Sequence, residues 1–114
     1  MCYPQEFIFA EKLETVVYRG GANSRMKDFH DLYAMMQTPE LLSENTLRDI
    51  IPMVFQQRTT PLVLPIAFKT NEIDQLQALW TSYQVGLKIS EVQSLPSHIF
   101  SLIETLNEWL RLRI

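Results

Sequence analysis

Apolar residues recur along most of the chain at three- and four-residue spacing, the pattern that gathers them on one face of an α-helix, and strand-like alternation is scarce. A first helix is predicted over residues 7–19, with Ala10, Leu13, Val16 and Val17 on one stripe. Gly20-Gly21 ends it, because glycine readily takes the left-handed conformation that closes a helix. Asn23 or Ser24 is the expected cap of a second helix, which runs to about residue 37 and buries Phe29, Leu32, Tyr33 and Met36 before Pro39 stops it. Ser43 is expected to cap a third helix through Leu47, Ile50, Ile51, Val54 and Phe55. Pro52 falls inside that pattern, and its missing N–H and ring clash predict a kink or break.

The stretch 59–65, with Pro61 and Pro65, reads as an extended connection that Leu62, Val63 and Leu64 pin across the bundle. Asn71 with Asp74 resembles a variant capping box and opens a fourth helix with Ile73, Leu76, Leu79, Trp80 and Tyr83 inward and Gly86 near its end. Ser94-Leu95-Pro96-Ser97 reads as the start of a last helix, with proline in the first turn. Its inward face is Ile99, Leu102, Ile103, Leu106, Trp109 and Leu110. No internal repeat, low-complexity tract or Ser/Gly-rich linker interrupts the pattern. The expected fold is all-α: a single helical domain over residues 1–114, a bundle of about five helices with a short extended segment near 61–68.

Composition fits this picture. The chain has 114 residues, 46% hydrophobic and 20% charged, which suits one ordinary globular domain with a real core. A formal net charge of −3 excludes a general basic field, so any polyanion must be held by local basic residues. No apolar run approaches the roughly 18 residues of a transmembrane helix. The opening Met1-Cys2-Tyr3-Pro4-Gln5-Glu6 lacks the basic n-region of a signal peptide, so the expected address is the cytoplasm, with no membrane partner. Cys2 is the sole cysteine and can form neither an internal disulfide nor a multi-cysteine zinc site. His30 and His98 lack partners at zinc spacing and are expected at or near the surface. No Walker loop, dinucleotide fingerprint or nucleophile elbow occurs.

The most distinctive text is Ala10-Glu11-Lys12-Leu13-Glu14-Thr15-Val16-Val17, followed by Asn23-Ser24-Arg25-Met26-Lys27-Asp28-Phe29-His30-Asp31-Leu32-Tyr33. It resembles the third and fourth motifs of the AbiEii-type nucleotidyltransferase toxins, the toxic half of a class of toxin–antitoxin and abortive-infection systems. There an "AEK(L/F)" helix precedes a turn and an "N-S-R-x-K-D-x-x-D-(L/I)" helix. Phe55-Gln56-Gln57-Arg58-Thr59-Thr60-Pro61-Leu62 is similar to that family's "F-x-x-R-x-T-P-L" element, and Trp80 stands where a tail tryptophan usually follows. The likeness covers most of this chain but only the C-terminal portion of a family member.

The resemblance implies a polymerase-β-like enzyme that uses magnesium and a nucleoside triphosphate to transfer a nucleotide to an acceptor, which in related toxins can be tRNA. Lys12 then corresponds to the motif lysine and Asp28 to the motif aspartate, the two catalytic candidates. Lys12, Arg25 and Lys27 are the candidate nucleotide- and phosphate-binding residues, with Glu11 and Asp31 supporting. An ammonium beside a triphosphate would offset its charge. Asp28 would orient nucleotide, acceptor hydroxyl or metal-bound water, and as a first-turn carboxylate it would also complement the helix dipole. Asp31, three residues on, would either join it or pair with Arg25, Lys27 or a base on the first helix. Arg58 would approach a nucleotide or help cap the third helix.

The family's Gly-Ser turn and Asp-x-Asp metal pair do not occur here, and Gly20-Gly21-Ala22-Asn23-Ser24 follows a helix and precedes no such pair. No metal ligand set and no cofactor are therefore expected for this chain alone. The expectation is a C-terminal fragment or remnant of a nucleotidyltransferase toxin, inactive by itself, with a separate N-terminal half, a cognate antitoxin or self-association as partner. The alternative is a non-catalytic module that binds an antitoxin, that N-terminal half, or RNA through Lys12, Arg19, Arg25 and Lys27.

Overall fold

Six α-helices and no strand make up the regular structure of the described residues, 4–22 and 25–113, in the computed structural model. They are α1 (Gln5–Arg19), α2 (Met26–Met36), α3 (Glu44–Gln57), α4 (Thr70–Val85), the short α5 (Ile89–Gln93) and α6 (Ile99–Arg113), with 3₁₀ turns at Gly20–Ala22 and Pro39–Leu41. The all-α expectation holds, with one helix more than the five that periodicity outlined. The extra one is α5, too short to carry a periodic stripe and without a buried residue.

The predicted stripes converge on one core. Phe9, Ala10, Leu13 and Val16 of α1 meet Phe29 and Leu32 of α2 and Leu47, Ile51, Val54 and Phe55 of α3. Leu76 and Trp80 of α4 and Ile99, Leu102, Leu106 and Leu110 of α6 close it. Fully burying each such side chain contributes about 1.5–3 kcal/mol. The Trp109 ring lies 5.0 Å from that of Phe9, and the Arg113 guanidinium covers Trp109 at 4.3 Å from its centroid. Leu79, expected inward, is partly exposed at the edge of the α4 stripe.

Several local expectations change. The second-helix cap assigned to Asn23 or Ser24 lies outside the described residues. Gly20 does take a positive φ of 54°, but with ψ −138° it makes a turn rather than a left-handed helical closure. Ser43 caps α3 as expected, its side chain accepting from Thr46 N. Pro52 does not break α3, which runs unbroken from Glu44 to Gln57. Both Pro52 and Arg48, whose carbonyl loses its donor, are exposed, so water can serve that acceptor.

The capping of α4 is displaced from Asn71 and Asp74 to Lys69 and Glu72. Glu72 Oε1 accepts from Lys69 N at 2.9 Å, while the lysine side chain has no acceptor to return the bond. Glu72 Oε2 also accepts from Gly21 N at 3.1 Å, which ties the first turn to α4. A Cβ at Gly21 would stand 2.7 Å from Glu72 Cβ and Cγ, so this approach requires glycine.

The connection after α3 is non-helical, as predicted, but Val63 and Leu64 face solvent. Ile66, Leu62 and Phe68 meet the core instead. Asn107 of α6 fixes the segment by accepting from Ile66 N at 2.7 Å and donating to Ile66 O at 2.8 Å. The last helix begins at Ile99 rather than in the Ser94–Ser97 stretch. Pro96 O is taken by Trp80 Nε1 at 2.9 Å and Gln84 Nε2 at 3.0 Å, which holds that stretch outside the helix. Gln77 then caps α6 from α4, its Oε1 accepting from Ile99 N at 2.7 Å.

Candidate functional site

The candidate polar residues lie along the seam between α1 and α2. Lys12 sits one residue from the buried Leu13, so its side chain leaves the core edge toward α2. Asp28 occupies the first turn of α2, where free backbone N–H groups and the positive dipole end favour a carboxylate. One further turn brings Asp31 onto the same side. Lys12 Nζ donates to Asp31 Oδ2 at 2.8 Å and stands 3.6 Å from Asp28 Oδ1. Lys27 Nζ donates to Asp31 Oδ1 at 3.0 Å, and Arg25 Nε lies 3.8 Å from Asp28 Oδ2. All five catalytic or phosphate-binding and acidic candidates of this seam thus fall within one charge network.

Burial divides the carboxylates. Asp28 is 5% exposed, and its Oδ2 has no hydrogen-bond partner despite the nearby Arg25. Asp31 is half-buried; burial pushes its carboxyl up, but hydrogen bonds from Lys12 and Lys27 outweigh this and hold it below the usual range. Lys27 is raised in turn, mainly by its hydrogen bond to Asp31. Of the alternatives weighed for Asp31, the structure shows the salt bridge, which runs both to Lys27 of α2 and to Lys12 of α1.

Two clefts open on this network. One, of ≈ 220 Å³, is lined by Ile8, Glu11, Lys12, Thr15, Arg25, Asp28 and Arg58. The other, of ≈ 450 Å³, is lined by Lys12, Arg25, Met26, Lys27, Asp28, Asp31 and Tyr83. Lys12, Arg25 and Asp28 belong to both. Larger apolar hollows elsewhere, such as the ≈ 620 Å³ one beside α6, contain none of these residues.

Arg58 neither caps α3 with its side chain nor stands free. It pairs with Glu11 and with Glu14, whose Oε1 accepts at 3.4 Å. Glu14 is buried and also accepts from Thr60 Oγ1 at 2.6 Å, a cluster the sequence reading did not find. Its signal was present in the Arg-x-Thr order of the tail element, but the acid that answers it is 44 residues away. Also missed was the bond between His30 Nδ1 and Tyr83 Oη at 2.7 Å, since Tyr83 read only as core. Arg19, the exposed last residue of α1, is not among the described residues lining either cleft. The His98 ring meets its neighbour Ser97, with Nδ1 and Oγ 3.1 Å apart.

Among the described residues no group of three His, Cys, Asp or Glu side chains gathers to hold a metal. Asp28 and Asp31 also do not fit a magnesium ion by themselves, because the Lys12 ammonium already stands between them. No helix of the described chain is long and apolar enough to cross a membrane.

These features define an all-helical protein with a cation–carboxylate cleft between its first two helices. The family model described as nucleotidyl transferase AbiEii toxin, type IV toxin–antitoxin system, matches residues 1–97, and the chain belongs to that family. The match spans the whole cleft and stops before α6. No curated protein and no solved structure matches the chain.

Proposed function

We propose that this chain supplies the phosphate-facing part of a nucleotidyltransferase site and that it does not transfer nucleotides alone. The observation that carries the reading is the geometry of Lys12. Its ammonium has three donors, and among the described residues only one is engaged in a hydrogen bond, to Asp31. Asp28 Oδ1, at 3.6 Å, attracts the charge without occupying a donor in good geometry. Two N–H groups thus remain for the phosphates of a nucleoside triphosphate, with Arg25 and Lys27 adding positive charge at the cleft rim. Asp28 Oδ2, buried without a hydrogen-bond partner, suits an acceptor hydroxyl or another donor brought by substrate. Glu11 positions Arg58 at the same cleft, and Asp31 positions Lys12.

The magnesium-binding acids come, in this reading, from a separate segment carrying the Gly-Ser and Asp-x-Asp motifs. No chemical step is assigned to the described residues through the metal, for which they do not fit. The acceptor is an RNA of the tRNA class.

Calorimetric titration of the chain with ATP and GTP, with and without magnesium, tests the reading. Binding is expected, weakened about tenfold by Lys12→Ala, the scale of one charge-assisted contact. Equal affinities for the wild type, Lys12→Ala and Asp28→Ala would remove the proposal's basis.

Exposed apolar surface supports a second, compatible reading in which the chain docks a partner, either that separate half or an antitoxin. Tyr18 is 74% and Val63 68% exposed beside a ≈ 470 Å³ groove lined by Val17, Ile66 and Phe68. A strict monomer in size-exclusion chromatography, unaffected by Val63→Asp and binding neither partner, would count against it.

A further inference from the structure

The larger of the two clefts has one wall that the ionic network does not explain. Tyr83 of α4 lines it together with the α2 residues, and it is the sole aromatic residue among the described residues lining the cleft. The ring is doubly fixed. Its hydroxyl meets His30 Nδ1 at 2.7 Å, and one side stacks on Trp80 with centroids 5.7 Å apart and planes 20° from parallel. His30 approaches edge-on, at 76°. Trp80 is itself fully buried and donates to Pro96 O, so the stack rests on a rigid base. Burial pushes the Tyr83 phenol up, which keeps it neutral at ordinary pH.

We propose that Tyr83 is the platform on which the base of the nucleoside triphosphate stacks while Lys12 receives its phosphates. The inference rests on the phosphate reading above. A cleft of ≈ 450 Å³ falls within the size range of small-ligand sites. Its lining combines Lys12, Arg25 and Lys27, which suit phosphate, with a preoriented aromatic ring, which suits a planar heterocycle. Stacking on an aromatic ring is open to every base, since each has a π-face.

Fluorescence or calorimetric titration of the full chain with ATP and with inorganic tripolyphosphate separates the two parts of that lining. ATP should bind about tenfold more tightly than tripolyphosphate, the order of one base–aromatic stack. Tyr83→Leu should erase that difference while leaving tripolyphosphate binding within about twofold, and Tyr83→Phe should keep most of it. Equal binding of ATP and tripolyphosphate by the wild type overturns the platform and leaves the phosphate reading standing. If neither compound binds, the phosphate reading falls and takes this inference with it. Should Tyr83→Leu fail to fold, the wild-type comparison and Tyr83→Phe still decide. A single-stranded oligoribonucleotide without a triphosphate serves as the last arm. If it depends on Tyr83 and ATP does not, the ring serves an acceptor RNA, and the assignment to the triphosphate is wrong.

Discussion

The α1–α2 seam and the α4–α6 junction join their helices by different chemistry. At the seam, side chains of opposite charge meet across water-accessible clefts, and Asp28 keeps a buried oxygen without a hydrogen-bond partner. At the junction, neutral side chains answer backbone groups: Gln77 caps α6, Trp80 and Gln84 share Pro96 O, and Asn107 of α6 clasps both backbone groups of Ile66 in the connection before α4. A neutral amide between two backbone groups satisfies them fully and leaves nothing for a ligand. An exposed ion pair stabilises little, about 0–1 kcal/mol, and can exchange one partner for a phosphate. On the proposed function, the junction holds the helices while the seam exchanges partners.

The largest effect that can break this contrast is expected at the junction. Trp80 is fully buried and its indole N–H is engaged, so Trp80→Ala leaves a cavity and frees one bond to Pro96 O. A loss of about 3–5 kcal/mol is expected, a large part of a typical total of about 5–15 kcal/mol. Urea unfolding reads it directly. A loss below about 1 kcal/mol would mean that the junction collapses around the gap, and that α4 and α6 are held elsewhere.

Asn107→Ala comes next. It strips the partners from Ile66 N and Ile66 O at a buried position, and leaving such groups unsatisfied costs about 1–3 kcal/mol. The connection should loosen with it, visible as faster amide exchange at Ile66 and new proteolytic cleavage within residues 61–68. Unchanged exchange at Ile66 would show that Leu62 and Phe68 suffice to pin the segment.

The contrast also explains what the sequence made legible. The stripes of α1, α2, α3 and α6 were readable because each buries a face long enough for the three-and-four spacing to repeat. Lys12, Asp28 and Asp31 were readable as a set through the motif text, and their assembly follows from placing both motifs on adjoining helices. What escaped was non-local. Glu72 reaches Gly21 across 51 positions, Asn107 reaches Ile66 across 41, and Gln77 caps a helix that starts 22 residues later. A polar residue on a helix surface carries no mark of the distant backbone group it will satisfy. Pro52 misled for a related reason: the rule for proline counts the lost bond, but only the tertiary arrangement decides that the orphaned carbonyl lies on a wet face.

The smallest expected effect lies at the seam itself and sharpens the comparison through pH. Asp31 has its folded-state carboxyl held below the unfolded value of about 3.9, because hydrogen bonds from Lys12 and Lys27 outweigh its burial. Its contribution is therefore present above that unfolded value and lost as pH falls through the lower folded one. Lys27 runs the opposite way. Raised chiefly by Asp31, it contributes below its unfolded value of about 10.4 and loses that contribution as pH rises through the folded one. Asp31→Asn should accordingly flatten both limbs of a stability profile, by no more than about 1 kcal/mol at neutral pH, as befits a half-exposed network. The acid limb should keep a residual slope from Glu72, which hydrogen bonds from Lys69 and Gly21 also hold low and which the substitution does not touch. Urea midpoints measured from acid to alkaline pH check this. Parallel curves for the two proteins would mean that the charges of the seam are merely solvated neighbours, and Asp31 would then lose its role of positioning Lys12.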